Sequence, residues 1–138
     1  MTFGLRAVLD PNVLVSALLS PSGAPAAILR GWIDGDFELV TSKALLAELA
    51  RALAYPKLRS RIGEDEARAF IELLRRTATL AEDPVEVLRR SRDPGDDYLL
   101  ALAQSAAALL VTGDRDLLDI AEVPVRSPRA FLVELFPG

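Results

Sequence analysis

Short apolar runs of strand composition recur along this chain, each followed by a longer stretch with helical spacing, and that alternation constrains the fold more than any other feature. Leu5–Leu9 (LRAVL) runs directly into Asp10-Pro11-Asn12 and reads as a buried strand ending in a turn. Phe37–Thr41 (FELVT) has strand composition, and residues 108–112 (ALLVT) form a third run closed by Gly113-Asp114. Helices are predicted over residues 13–20, stopped by Pro21-Ser22-Gly23, and over residues 25–34, stopped by Gly35. Ser42 offers an N-cap for a helix reaching residue 54, along which Leu45, Leu46, Leu49 and Leu53 fall at helical spacing. Glu64–Thr77 is amphipathic, with Ala67, Phe70, Ile71 and Leu74 on one stripe. A short strand is expected within residues 79–88, where Asp83-Pro84 interrupts it, and Asp93-Pro94-Gly95 reads as a turn. Asp96 then opens an almost wholly apolar helix to residue 107. A short helix over residues 116–120, an edge strand over 123–125 and a helix over 128–136 complete the pattern. Strands separated throughout by helices imply an α/β fold with a mainly parallel sheet covered on both faces. There is no internal repeat or linker, and the 138 residues read as a single domain, 1–138.

Two absences narrow the chemistry. The chain contains neither Cys nor His. That excludes disulfides, thiolate nucleophiles, Ser-His and Cys-His dyads, and imidazole or thiolate metal ligands. Any enzyme built here must use Asp, Glu, Lys, Tyr or backbone groups. A carboxylate-only site suits hard cations such as Mg²⁺ or Mn²⁺. No apolar run reaches the roughly 20 residues that span a bilayer, and the N-terminal MTFGLRAVLD lacks the pattern of a secretory signal. The expected location is cytoplasmic, with no membrane partner.

Acidic residues gather where the pattern places strand and helix ends. Asp10 follows the first strand, and Asp114 follows ALLVT. Asp96 and Asp97 stand at the start of the apolar helix, and Glu48 lies in the helix that follows FELVT. In parallel sheets ligands bind at the carboxyl ends of the strands, so these carboxylates are expected to converge there. Each has a structural alternative. Asp10 and Asp114 are also natural helix caps or turn formers, and Asp96 and Asp97 complement a helix dipole. Glu48 borders the Leu45–Leu49–Leu53 stripe, where an unpaired carboxylate is costly and a nearby cation would relieve it. Crowded carboxylates repel unless a divalent ion neutralises them.

The ordered set resembles the PIN domain family. Arg6-Ala7-Val8-Leu9-Asp10-Pro11-Asn12-Val13 is similar to the family's opening strand and Asp-x-Asn turn. Ser42-Lys43-Ala44-Leu45-Leu46-Ala47-Glu48-Leu49 is similar to its second acidic element. The third and fourth are matched by residues 93–103 (DPGDDYLLALA) and by Val111-Thr112-Gly113-Asp114-Arg115-Asp116-Leu117-Leu118. The resemblance extends over nearly the whole chain and is nearest to the branch of bacterial toxins of toxin–antitoxin pairs. It implies a three-layer α/β/α fold and a Mg²⁺- or Mn²⁺-dependent endoribonuclease, usually dimeric, restrained by a cognate antitoxin protein. It carries Asp10, Glu48, Asp96 and Asp114 over as catalytic, metal-binding acids, with Asn12 and Thr112 lining the same site and Asp116 as an extra acid. Asp97 is the second choice for the third position. Asp96 shares a helix face with Leu99, Leu100 and Ala103, whereas Asp97 shares one with Leu100, Ala101 and Gln104, expected nearer solvent.

Twenty acids against sixteen bases give a net charge of −4, the wrong overall sign for an RNA substrate. Local clusters, Lys57-Arg59-Arg61 and Arg89-Arg90-Arg92, would have to supply RNA affinity or else form a solvated surface. Trp32 and Tyr55 are read as packing residues ahead of base-stacking ones. Three other readings compete. An aspartyl-nucleophile phosphatase requires a second Asp where Asn12 stands. A catalytically idle PIN-like module would bind RNA or protein only, and a purely structural domain would leave Glu48 unexplained. The apolar stretches at residues 13–19 and 26–32 are open to either of two uses, a homodimer interface or the core.

Overall fold

The computed structural model describes residues 5–87, 96–120 and 123–138. Its elements follow in the order β1 (Leu5–Leu9), α1 (Pro11–Leu19), α2 (Ala24–Ile33), β2 (Phe37–Thr41), α3 (Lys43–Leu53), α4 (Pro56–Arg59), α5 (Glu64–Thr77), β3 (Thr79–Leu80), α6 (Asp97–Ser105), β4 (Leu109–Val111), α7 (Arg115–Leu118), β5 (Val125–Arg126) and α8 (Pro128–Leu135). The five strands form one sheet in the order β3-β2-β1-β4-β5, every neighbouring pair parallel. Helices flank it in a three-layer α/β/α arrangement, as the strand-helix alternation implies.

The helix boundaries have local causes. Asp10 caps α1, and Pro11 occupies its first turn, where a missing N–H costs nothing. Ser42 accepts from the Leu45 N–H at 3.2 Å to start α3. Glu64, Asp65 and Glu66 in the first turn of α5 and Arg75 and Arg76 in its last both complement the helix dipole. Gly35, at φ +84°, ends the α2 turn. The helix predicted to residue 107 stops two residues earlier because Ala107 adopts φ +53°, a left-handed conformation that leaves the helix. The turn of helix at Pro56–Arg59 was not expected. At four residues it is too short for an apolar period to register.

The core is continuous across the sheet. Val8, Leu110 and Val111 are fully buried, as befits strands covered on both faces. The apolar residues of α1 and α2, including Val13, Leu14, Val15, Ala26 and Ile28, are buried as well, so these two helices belong to the core. Trp32 is half-buried against it, whereas Tyr55 is exposed. No single helix among the described residues is long and apolar enough to cross a membrane.

β1 occupies the centre of the sheet. From it the chain builds outward through β2 to β3, then returns past β1 to add β4 and β5 on the other side. The reversal falls between β1 and β4. In open α/β sheets a crevice forms beyond the strand ends at that point, because the two following connections leave in opposite directions.

Candidate functional site

Asp10 and Asp114 stand just beyond the carboxyl ends of β1 and β4, on the two sides of this reversal. The parallel register aligns Leu9 with Val111, and the Asp10 N–H extends the ladder by donating to the Val111 carbonyl at 3.0 Å. Thr112, fully buried, joins the two loops through one hydroxyl. That hydroxyl donates to Asp10 Oδ2 at 2.8 Å and accepts the Asp114 N–H at 3.1 Å. Asp10 Oδ1 accepts the Asn12 N–H at 2.9 Å, and Asp114 Oδ1 accepts the Asp116 N–H at 2.9 Å. Both acids therefore cap the helices that follow them, as their structural alternative requires. Asp10 also does more, because it is only 5% exposed at the head of a cleft.

Burial raises the Asp10 carboxyl above its ordinary pKa. The hydrogen bonds from Asn12 and Thr112 oppose that rise, and the negative charges of Asp114 and Glu48 add to it. Three of the four principal acids, Asp10, Glu48 and Asp96, line one cleft of about 80 Å³ with Asn12, Tyr98 and Leu99. Asp114 is not part of that lining, but its charge acts on Asp10. Asp116 is exposed beside it.

Two expectations need correction. Glu48 was expected at the border of the buried stripe, its burial cost relieved by a nearby cation. Instead its side chain is about half exposed and its Oε2 pairs with Arg51, one turn along α3, at 2.5 Å. Its length lets the carboxylate reach solvent from a position adjoining Leu49, so burial does not by itself demand a cation. Asp97 was expected nearer solvent than Asp96, yet it is 3% exposed while Asp96 is half-buried. The reason is that α6 is enclosed on nearly all sides: every residue from Leu99 to Ala103 is buried, so polarity on one helix face did not mark the solvent side. Asp96 lines the cleft, and Asp97 does not.

Sequence reasoning also missed two residues. Arg51 was legible as a base three positions after Glu48, the spacing at which helical side chains meet. Tyr98 was legible only as the one phenol in an apolar helix, two residues after Asp96. Its hydroxyl oxygen is buried and has no hydrogen-bond partner among the described residues. Burial raises its pKa above the usual tyrosine value, with the charges of Glu48 and Asp10 reinforcing the rise. The Lys57-Arg59-Arg61 group is exposed and not among the cleft-lining residues. The turn at Asp93-Pro94-Gly95 and the Arg89-Arg90-Arg92 group lie outside the described residues.

All the donors around the cleft are oxygens or amides, a set suited to Mg²⁺ or Mn²⁺ and unsuited to soft metals. Among the described residues, no three acids as placed form a group that could hold a metal ion. Glu48, turned to Arg51, and Asp114, turned to its own helix, are each engaged elsewhere. The chemistry of the donor set fits such a cation, and its capture would require these acids to exchange partners.

The sequence profile of the PIN domain matches residues 6–116. An uncharacterized protein of Methanocaldococcus jannaschii is 28% identical over 118 residues, covering 86% of this chain and 76% of its own length. Among solved structures, VapBC2 from Rickettsia felis, bound to a DNA fragment from their promoter, superposes with a TM-score of 0.65. The identity is 13%, over 89% of this chain and 98% of that one. PAE2754 from Pyrobaculum aerophilum gives a TM-score of 0.64 at 24% identity, over 97% of this chain and 91% of that one. These structural likenesses concern the fold.

Proposed function

The chain belongs to the PIN domain family, a family of nucleases, and from that premise we propose that it is a divalent-metal-dependent endoribonuclease acting at the Asp10 cleft. The observation that carries the reading is the Thr112 hydroxyl, which ties Asp10 to the Asp114 loop where the sheet reverses direction. It commits a fully buried side chain to holding two acid-bearing loops together, although their charges repel.

On this reading Asp10, Glu48, Asp96 and Asp114 would hold Mg²⁺ or Mn²⁺. Asn12 and Thr112 support Asp10, and Asp97 and Asp116 are reserve acids. When bound, the cation would lower the pKa of a water and stabilise charge developing on a phosphodiester. The protein's own contribution is positional. Thr112 and the Asn12 N–H fix both oxygens of Asp10, leaving its remaining lone pairs to the cleft. Glu48, paired with Arg51 in a half-exposed ion pair, is the acid that can change partner and orient or deprotonate the attacking water.

The resemblance to the toxin branch supports a cytoplasmic, homodimeric toxin restrained by a cognate antitoxin, and the VapBC2 structure shares its fold. The second reading is an idle module that binds RNA or protein. The Glu48–Arg51 pair favours it, because that pair satisfies Glu48 without metal.

Cleavage decides between them. Purified protein should cut single-stranded RNA with Mn²⁺ or Mg²⁺ and stop with EDTA. Asp10→Asn should lower the rate by more than about 100-fold, the upper end of what is lost with a residue that merely supports a metal ligand. RNA binding with no metal-dependent cleavage would favour the idle module, and undiminished cleavage by the Asn variant would move the activity elsewhere.

A further inference from the structure

Tyr98 is unexplained by the fold. The residue lines the acidic cleft, yet its hydroxyl is buried without a hydrogen-bond partner among the described residues. A phenylalanine would fill the same volume without leaving a polar group unmet, so the hydroxyl as placed works against stability. At neutral pH a phenol is protonated and so can donate. Of the described side chains lining the cleft, only Asn12 and Tyr98 can donate a hydrogen bond; the polar others are carboxylates. Glu48, whose charge acts most strongly on the Tyr98 hydroxyl, is turned to Arg51 by a half-exposed pair of the kind that exchanges readily.

We propose that the Tyr98 hydroxyl is a substrate-binding donor, kept for a non-bridging oxygen of the phosphodiester that enters the cleft beside Asp10 and Glu48. The inference rests on the ribonuclease reading and extends it. As the structure stands, no acceptor among the described residues of the cleft lies within hydrogen-bonding reach of the Tyr98 hydroxyl, and a phosphodiester oxygen would bring one. Asn12 is exposed at the mouth, whereas Tyr98 meets the ligand deeper in.

The test is Tyr98→Phe in the full chain, read in three ways. Thermal melting in EDTA should show a Tm about 2–5 °C above wild type, because an unmet buried hydroxyl is removed. Titration with Mn²⁺ alone should give unchanged affinity. Binding of a short fluorescent single-stranded RNA in Ca²⁺ should weaken about tenfold, the worth of a hydrogen bond to a charged group. A lower Tm would show that the hydroxyl serves the fold and would overturn the proposal. Unchanged RNA affinity would overturn it as well, while wild-type cleavage in Mn²⁺ kept the ribonuclease reading intact. If the wild type neither bound nor cleaved RNA, that reading would fall and take this one with it.

Discussion

The two oxygens of the Asp10 carboxylate serve different neighbours, Oδ1 the start of α1 and Oδ2 the Thr112 hydroxyl. Neither contact offsets burial, which leaves the folded-state pKa above the ordinary value of 3.8. The consequence for stability has a definite sign. Between the unfolded and folded pKa values the folded state holds more protons than the unfolded one, so stability falls as pH rises through that window. Above it the full penalty of a charged Asp10 is present. Asp10→Asn is therefore expected to melt higher than wild type near neutral pH in EDTA. The gap should close as the pH falls below the unfolded value, and a series of thermal melts across that range measures it. A wild type that melted higher at neutral pH would mean that the hydrogen bonds outweigh desolvation. The Asn variant thus combines lost cleavage with gained stability, a pairing expected where a charge is held for chemistry.

Among the elements, α6 joins the core to the site. It packs against β1 and β4, and its N-terminal end carries Asp96, Asp97 and Tyr98 toward the carboxyl end of the sheet. Its other end closes by a left-handed residue, with the Ala108 N–H donating back to the Ala103 carbonyl at 2.9 Å. Glycine is the usual occupant of that position, since a Cβ in this conformation crowds the following carbonyl at about 1–2 kcal/mol. Here Ala107 takes it. Ala107→Gly should raise stability by about 0.5–1 kcal/mol, the steric gain less the extra entropy of glycine in the unfolded chain. Urea denaturation reads the difference, and because residue 107 lies at the opposite end of the helix from Asp96, cleavage should not change.

At the scale of the whole molecule, the proposed capture of a cation by the carboxylates at the sheet reversal would couple metal binding to folding. A cation that binds only the folded state adds about 2.7 kcal/mol at a concentration near 100 times its Kd. Mn²⁺ should accordingly raise the Tm of the wild type in a concentration-dependent way and leave that of Asp10→Asn nearly fixed, as differential scanning calorimetry would record. Equal shifts in both would place the bound ion somewhere other than this cleft. Much of this architecture was legible beforehand. Apolar runs such as LRAVL and the caps Ser42 and Asp10 act through neighbours a few residues away, so the order of elements and the parallel sheet followed from local pattern. The absence of Cys and His left only oxygen chemistry, and the acids themselves could be named. What local pattern does not contain is which distant groups meet. Thr112 reaches Asp10 across 102 positions, a contact that exists only because β4 pairs with β1 and not with β3. Asp97 is buried because other elements close over α6, and the Tyr98 hydroxyl is buried without a partner among the described residues. The sequence by itself determined the donors and the ends of the elements that carry them. The tertiary structure decided which of those donors face the cleft, since strand order and burial are properties of contacts remote along the chain.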